Sequence, residues 1–458
     1  MTTEVRVLSA TGMLGSGFLE SSLERGVALA PHVIAADAGS TDGGPAYLGS
    51  GTPFFSREAT ARDLRLMLRA RARLGVPMIV GSCGFGGGNA GVDWIRDIVL
   101  EIAREEGMHF RAALIRSEQD KAYLKRRLRE GRILPLHPAP PLAEAVIERS
   151  AHIVGAMGHE PIVAALEAGA EVVLAGRATD TSLFAAVPLM RGAGAGPAWH
   201  AAKTLECGTA AVVQRKRPDC LFAWVREDHF DVAPCDPEMR CTPQSIASHT
   251  LYENADPFLV TEPSGVIDTT EATYEAIDDR SVRVRGSRFR PSERVTIKLE
   301  GAELAGYQSV IIAGVREPYI LRQLDSWLDG MQARFAERAR EVFGFGPGPG
   351  GYDLRIRVYG RDGVMGKLEP RGDELGHEVC LLITVTTARQ ETSRAVAKSF
   401  AHLALHYPIP EWGGLISGLA FPFTPAEMDR GPVYRFNLHH VVQPDDPLEM
   451  FRTEMLEV

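Results

Sequence analysis

Along the first 180 residues the hydrophobic positions fall into two alternating rhythms. Short β-branched or apolar runs recur at Val5 to Leu8, Val33 to Ala36, Met78 to Val80, Phe110 to Ile115, His152 to Ala156 and Glu171 to Ala175. Between them, Ala59 to Leu74 and Val92 to Glu106 place apolar residues three and four apart, the spacing of a helix with one buried face. Strand and helix in strict alternation predict a parallel sheet with crossover helices, because parallel neighbours cannot be joined by a tight turn. The expected fold class is α/β, with a Rossmann-like parallel domain over residues 1–190.

The rhythm changes after Met190, at RGAGAGP. A helical stretch from Trp199 to Lys216 leads into strand-like pieces at Leu221 to Val225, Phe258 to Thr261, Ser281 to Val284, Val295 to Leu299 and Ser309 to Ala313, with one helix at Pro243 to Glu253. This predicts an α+β extension over 191–289 packed on the first sheet. Beyond Pro318, the residues Ile320, Leu324, Leu328, Met331 and Phe335 share a helix face that stops before FGFGPGPGG. A strand at Leu354 to Tyr359, another at Val379 to Thr386, a helix at Thr392 to His406 and a strand at Val433 to Val442 follow. With the strand before Pro318, the order β, α, β, β, α, β predicts a ferredoxin-like α+β domain over 290–458.

A length of 458 residues suits two or three domains. The 50 Lys and Arg against 59 Asp and Glu leave a net charge of −9, the wrong sign for a nucleic-acid or anionic-lipid partner. No apolar run reaches membrane-spanning length, and Glu4 and Arg6 stand where a secretory signal has its apolar segment, so the expected location is cytoplasmic. Six cysteines without a CxxC pair read as free thiols.

Candidate chemistry gathers at the predicted strand ends. Gly81 to Gly91 lies between a strand and a helix, and its Ser82, Cys83, Gly84, Gly86, Gly87 and Asn89 are candidates for gripping an anionic ligand at a helix start. The spacing is neither GxGxxG nor that of a nucleotide-triphosphate loop. The first strand ends at Thr11 and Gly12, whose G-x-x-G-x-G order argues against a nicotinamide site. Asp37 and Asp42, after the second strand, are candidate general bases or hydroxyl acceptors, although Asp42-Gly43-Gly44 reads equally as a turn. Arg177 is fitted for a bidentate grip on a carboxylate, with Asp180 as its anchor or as a helix cap. His159 is a candidate acid or base at a helix start. His200, Lys203 and Cys207 share a helix face beside Glu206, which makes Cys207 a candidate nucleophile and Glu206 a candidate base; an inert buried thiol is the plainer reading of Cys207. Cys235, Cys241, His439 and His440 lack zinc spacing. No cofactor is predicted, and a divalent metal across Asp37 and Asp42 is left open.

Several of these stretches resemble the acyclic terpene utilisation protein A family of bacterial proteins: the first glycine loop, DAGSTDGGP, GSCGFGGGNAG, AGRATDTSL, KTLECG and GYQSVIIAGVREP. The resemblance extends over nearly the whole chain, including an appended ferredoxin-fold domain. It implies a two-part protein of carboxylic acid or acyl-thioester catabolism, accompanied by a small separate partner protein.

The reading from residues is an enzyme that holds a small carboxylate or acyl-CoA substrate by the Gly84 to Gly91 loop and Arg177. Asp37, Asp42 or Glu206 would remove a proton beside the carbonyl, giving a lyase, hydratase or isomerase. Two alternatives stand beside it: a thiol-dependent hydrolase or acyl transferase using Cys207 or Cys83, and a non-catalytic acyl-binding subunit. A homo-oligomer is expected, since the edge of the last sheet needs cover.

Overall fold

A computed structural model of the chain describes residues 4–252, 254–410, 414 and 416–458. The chain divides into two compact units, Met1–Glu303 with Arg435–Val458, and Leu304–Tyr434.

In the first unit the parallel strands are Val5–Ser9, Val33–Gly39, Met78–Phe85, Arg111–Arg116 and Val172–Ala175. The last lies between the third and fourth, so the spatial order is first, second, third, fifth, fourth. These strands are apolar almost throughout because both faces are covered. Val33, Ala35, Val173 and Ala175 feed one core, and Ile34, Ala36, Val172 and Leu174 feed the other. Helices Arg57–Leu74 and Asn89–Glu106 cover one face, using Leu64, Met67 and Leu68, and Val92, Ile95 and Val99. Asp180–Met190 and Ala195–Leu205 cover the other.

Antiparallel strands extend both edges. Leu221–Val225 pairs with Val5–Ser9, and His229–Pro234, Val282–Arg285 and Thr273–Ala276 follow outward. At the opposite edge Arg452–Glu457 runs beside Arg111–Arg116. That pairing explains a difference from the sequence pattern. The His152 strand, Ser150–Ala156, does not join the parallel sheet but pairs antiparallel with Lys298–Glu303, the edge it would have extended being taken. The helix expected through Lys216 stops at Leu205, where Gly208 at φ +54° begins a single 3₁₀ turn, Gly208–Ala211. The helix expected from Pro243 runs to Thr250, and Glu253 lies outside the described residues.

In the second unit the order along the chain is strand, two helices (Pro318–Arg322 and Leu324–Phe343), strand Asp353–Tyr359, strand Val379–Thr387, helix Gln390–Leu405 and strand. Its first strand is the later part of Ile297–Val315 and its last is the early part of Glu427–Val442. Val379–Thr387 pairs antiparallel with both Tyr307–Val315 and Asp353–Tyr359. Trp327, Met331, Phe335 and Phe400 pack from the helices onto Ile311, Ala313, Leu381 and Ile383.

Candidate active site

Parallel strands end on one side of their sheet, so the loops that follow them converge there. The end of the strand Met78–Phe85 turns on Ser82 and Phe85, at φ +48° and +84°, a region that residues carrying a Cβ enter at a cost of roughly 1 kcal/mol or more. This backbone path sets the Ser82 hydroxyl to accept a hydrogen bond from Arg177 Nη1 at 3.1 Å. Arg177 follows the last parallel strand, and its backbone N–H donates to Gly87 O at 3.0 Å and Ser117 Oγ at 2.7 Å. Gly87 permits that approach, since a Cβ there would lie 2.5 Å from Arg177 N.

The Arg177 guanidinium is held on several sides. Nε donates to Glu300 Oε2 at 2.8 Å, Nη2 to Glu300 Oε1 at 3.5 Å, and Nη1 lies 3.5 Å from Asp180 Oδ1. Burial disfavours its charge, but Glu300 and Asp180 more than offset this, and its pKa is raised. Glu300 is buried as well; Arg177 and Lys298 hold its carboxyl down at about 2 against the burial penalty. Asp37 lies behind, 2% exposed, with Oδ2 accepting from the Gly39 N–H at 3.1 Å and Oδ1 without a hydrogen-bond partner among the described residues. Burial, then the nearby Asp180, pushes the Asp37 carboxyl well above the usual range.

Arg177, Asp180 and Glu300 border a cavity of about 380 Å³, lined also by Thr179, Thr181, Lys203, Glu206, Glu262 and Lys298. The size falls within the range of small-molecule sites. Lys203 and Glu206 lie one helical turn apart on Ala195–Leu205 and its C-cap, with Nζ 2.6 Å from Oε1. Burial pushes Glu206 up to about 8, with Lys203 pulling down and Asp180 pushing further up. Burial opposes the Lys203 charge, yet Glu206 raises its pKa on balance. Glu262 accepts from Thr179 Oγ1 at 2.7 Å and Thr181 Oγ1 at 2.5 Å, and burial moves it to about 7. The cavity thus holds the cations Arg177, Lys203 and Lys298, the carboxyls of Asp180 and of a strongly acidic Glu300, and two glutamates raised toward neutrality, the equipment of general acid–base chemistry.

Of the residues singled out from sequence, Arg177, Asp180 and Glu206 line this cavity, with Ser82 and Asp37 bound or electrostatically tied to Arg177. The others, Cys207 included, do not line it. Thr11 stitches its own loop to Ser16 at 3.1 Å, and Gly12 packs against the Cys207 backbone. Gly84, Gly86, Gly87 and Asn89 border a crevice of about 10 Å³, room for a water at most. The helix start behind them already meets an anion: Asn89 N–H donates to Glu118 Oε2 at 3.1 Å, and His152 Nδ1 lies 2.6 Å from the other oxygen. Cys83 is buried, donates to Val80 O at 3.7 Å, and has its thiol pKa raised by burial and by Asp37. Asp42 is exposed, in a turn closed by its N–H to Ser40 Oγ at 3.0 Å. His159 rests edge-on against Trp199, its pKa lowered by burial. His200 does not face Cys207 chemistry, because its nitrogens contact Ser287 Oγ at 2.6 Å and Thr250 Oγ1 at 2.9 Å, and burial lowers it to about 3. Among the described residues, no three His, Cys, Asp or Glu side chains converge to hold a metal ion.

The family model of the Acyclic terpene utilisation family protein AtuA matches residues 57–211 and 236–419. The chain belongs to this family. The matched segments of this AtuA family member include Arg177, Asp180, Lys203, Glu206, Glu262, Lys298 and Glu300, so its cavity is built mainly from the family-matching part. No curated protein and no solved structure matches the chain. Among the described residues no helix is long and apolar enough to cross a membrane.

Sequence reasoning missed Glu262, Glu300 and Lys298. The signal for Lys298 and Glu300 was the alternation Ile297, Lys298, Leu299, Glu300, whose apolar pair enters the core; Glu262, at the end of Leu259–Glu262, has no such signal.

Proposed function

We propose that this AtuA family member is an enzyme of carboxylic acid or acyl-thioester catabolism that transfers a proton at the carbon beside a carbonyl, as a lyase, hydratase or isomerase does. The observation that carries the reading is the buried Lys203–Glu206 pair in a cavity of about 380 Å³, with Glu206 moved up to about 8. A base of that strength takes a carbon-bound proton better than an ordinary carboxylate, and the Lys203 ammonium beside it favours the enolate-like charge that develops. Arg177 orients the carboxylate or thioester oxygen through the part of its guanidinium less firmly held by Glu300. The element and strand orders support Rossmann-like and ferredoxin-like readings of the two α/β regions.

Of the two thiols of the alternative reading, Cys83 is disfavoured as a nucleophile because it is buried with a raised pKa, which leaves the half-buried Cys207 to carry that reading. The test is turnover of short carboxylic acids and thioesters by Glu206→Gln, with ligand-induced thermal stabilisation measured in parallel. Stabilisation retained and turnover lost is the expected outcome; full turnover in the variant rejects the reading.

A further inference from the structure

Glu262 ends the strand Leu259–Glu262 and is 5% exposed, with its carboxyl in the cavity wall. The charged groups facing it are Asp180 and Lys203, with Glu206 beyond. Its hydrogen-bond partners are different in kind from those of the other glutamates. Glu300 has two cations and Glu206 has one, whereas Glu262 has the hydroxyls of Thr179 and Thr181.

Hydroxyl partners allow both protonation states. When Glu262 is ionised, Thr179 and Thr181 donate to its two oxygens. When it is protonated, the acid donates to Thr179, whose own hydrogen turns to Ser182 Oγ, 2.5 Å away. In either state both carboxyl oxygens keep a hydroxyl partner, so the proton leaves and returns without the penalty that an ion-paired glutamate would meet. Burial moves this carboxyl to about 7, which keeps the acid form populated near neutrality.

We propose that Glu262 is a second catalytic residue, the general acid that protonates a departing hydroxyl, which makes the reaction the dehydration of a 3-hydroxy acyl compound and its reverse. The inference rests on the reading of Glu206 as the base. In the step, Glu206 accepts the proton beside the carbonyl, the C–H electron pair becomes the new C=C bond, and the C–O bond breaks. The hydroxyl departs with the Glu262 proton as water. Hydration reverses each transfer, and neither oxidant nor reductant is needed.

The experiment incubates the full chain with 3-hydroxybutanoate and with the N-acetylcysteamine thioester of 3-hydroxybutanoate in D₂O, following by NMR both deuterium entry beside the carbonyl and alkene formation. The wild type is expected to do both. Glu262→Gln is expected to retain deuterium entry and to form alkene about 100-fold more slowly; alkene formation at the wild-type rate overturns the proposal. Thr179→Val, which removes the acceptor of the acid's proton, serves where Glu262→Gln does not fold, and is expected to slow alkene formation about tenfold with exchange unchanged; unchanged alkene formation overturns the proposal. Absence of exchange in the wild type overturns the Glu206 reading beneath it, which separates the two failures. A substrate-independent arm titrates the ¹³C-labelled glutamate carboxyls. A resonance that titrates near neutrality and vanishes in Glu262→Gln supports the proposal, and Glu262 found ionised at about pH 5.5 overturns it.

Discussion

Glu206 and Glu300 are both buried glutamates of one cavity, and burial pushes both upward. Two cations overcome it and hold Glu300 at about 2, whereas one lysine, opposed by Asp180 and Glu262, does not, and Glu206 stands at about 8. A base works in its ionised form, so deuterium exchange beside the carbonyl, the step that needs Glu206 alone, is predicted to speed up with pH through about 8. Lys203→Met withdraws the cation and moves that rise to higher pH, which a pH–rate profile of the two proteins reads directly. Arg177 and Glu206 were legible in the sequence because a polar residue at a strand end or on an otherwise apolar helix has few structural reasons to be there. Glu300 was not, because a charged residue alternating with apolar ones in a strand looks like a solvated face until another layer covers it, and Glu262, at the end of a short strand, reads as the start of a loop. His200 shows the converse. It reads as an activating base beside Cys207, but its ring bridges Ser287 and Thr250 inside the core. His200→Ala is predicted to lower unfolding free energy by about 2 kcal/mol or more, since it opens a cavity and takes the ring partner from the Ser287 hydroxyl. Denaturant titration checks this.

The parallel strands and their crossover helices follow from periodicity alone, and five of the six expected strands occupy the parallel sheet. The sixth, Ser150–Ala156, carries the same local signal but pairs with residues about 150 positions later, which no local pattern announces. The glycine loop between Met78–Phe85 and Asn89–Glu106 was equally legible as a feature, while the close approaches its glycines make are to protein backbone. A Cβ on Gly91 would lie 2.2 Å from Cys83 O. Gly91→Ala is therefore predicted to destabilise the chain by about 2 kcal/mol or more, seen as a lower denaturation midpoint at unchanged slope. At the start of that helix Glu118 supplies the negative charge that the exposed N–H groups attract. Burial opposes its ionisation, but His152 and the Asn89 N–H hold its pKa below the ordinary value.

At the scale of the molecule, buried titratable groups make stability depend on pH from both sides. Glu206 and Glu262 keep protons up to about 8 and about 7 that the unfolded chain releases at ordinary glutamate values. Stability tied to them is complete below those ordinary values and is lost as pH rises through 7 and 8, by at most about 1.4 kcal/mol per pH unit for each group. His200 and His249, lowered to about 3 and about 4, act the other way: their share is complete above the ordinary histidine value and is lost as pH falls toward those numbers. Chemical denaturation across this range is expected to show less alkaline loss in Glu262→Gln than in the wild type. The return of Arg435–Val458 to the first unit, where Arg452–Glu457 closes a sheet edge, was invisible in the pattern because an edge strand of mixed polarity has no partner written beside it. The cavity stands or falls with proton transfer. Exchange of the hydrogens beside the carbonyl in D₂O, followed by proton NMR over a panel of short carboxylic acids and N-acetylcysteamine thioesters, tests this most directly. The account predicts exchange of at least one compound by the wild type, lost in Glu206→Gln; no exchange across the panel, or exchange undiminished in the variant, contradicts it.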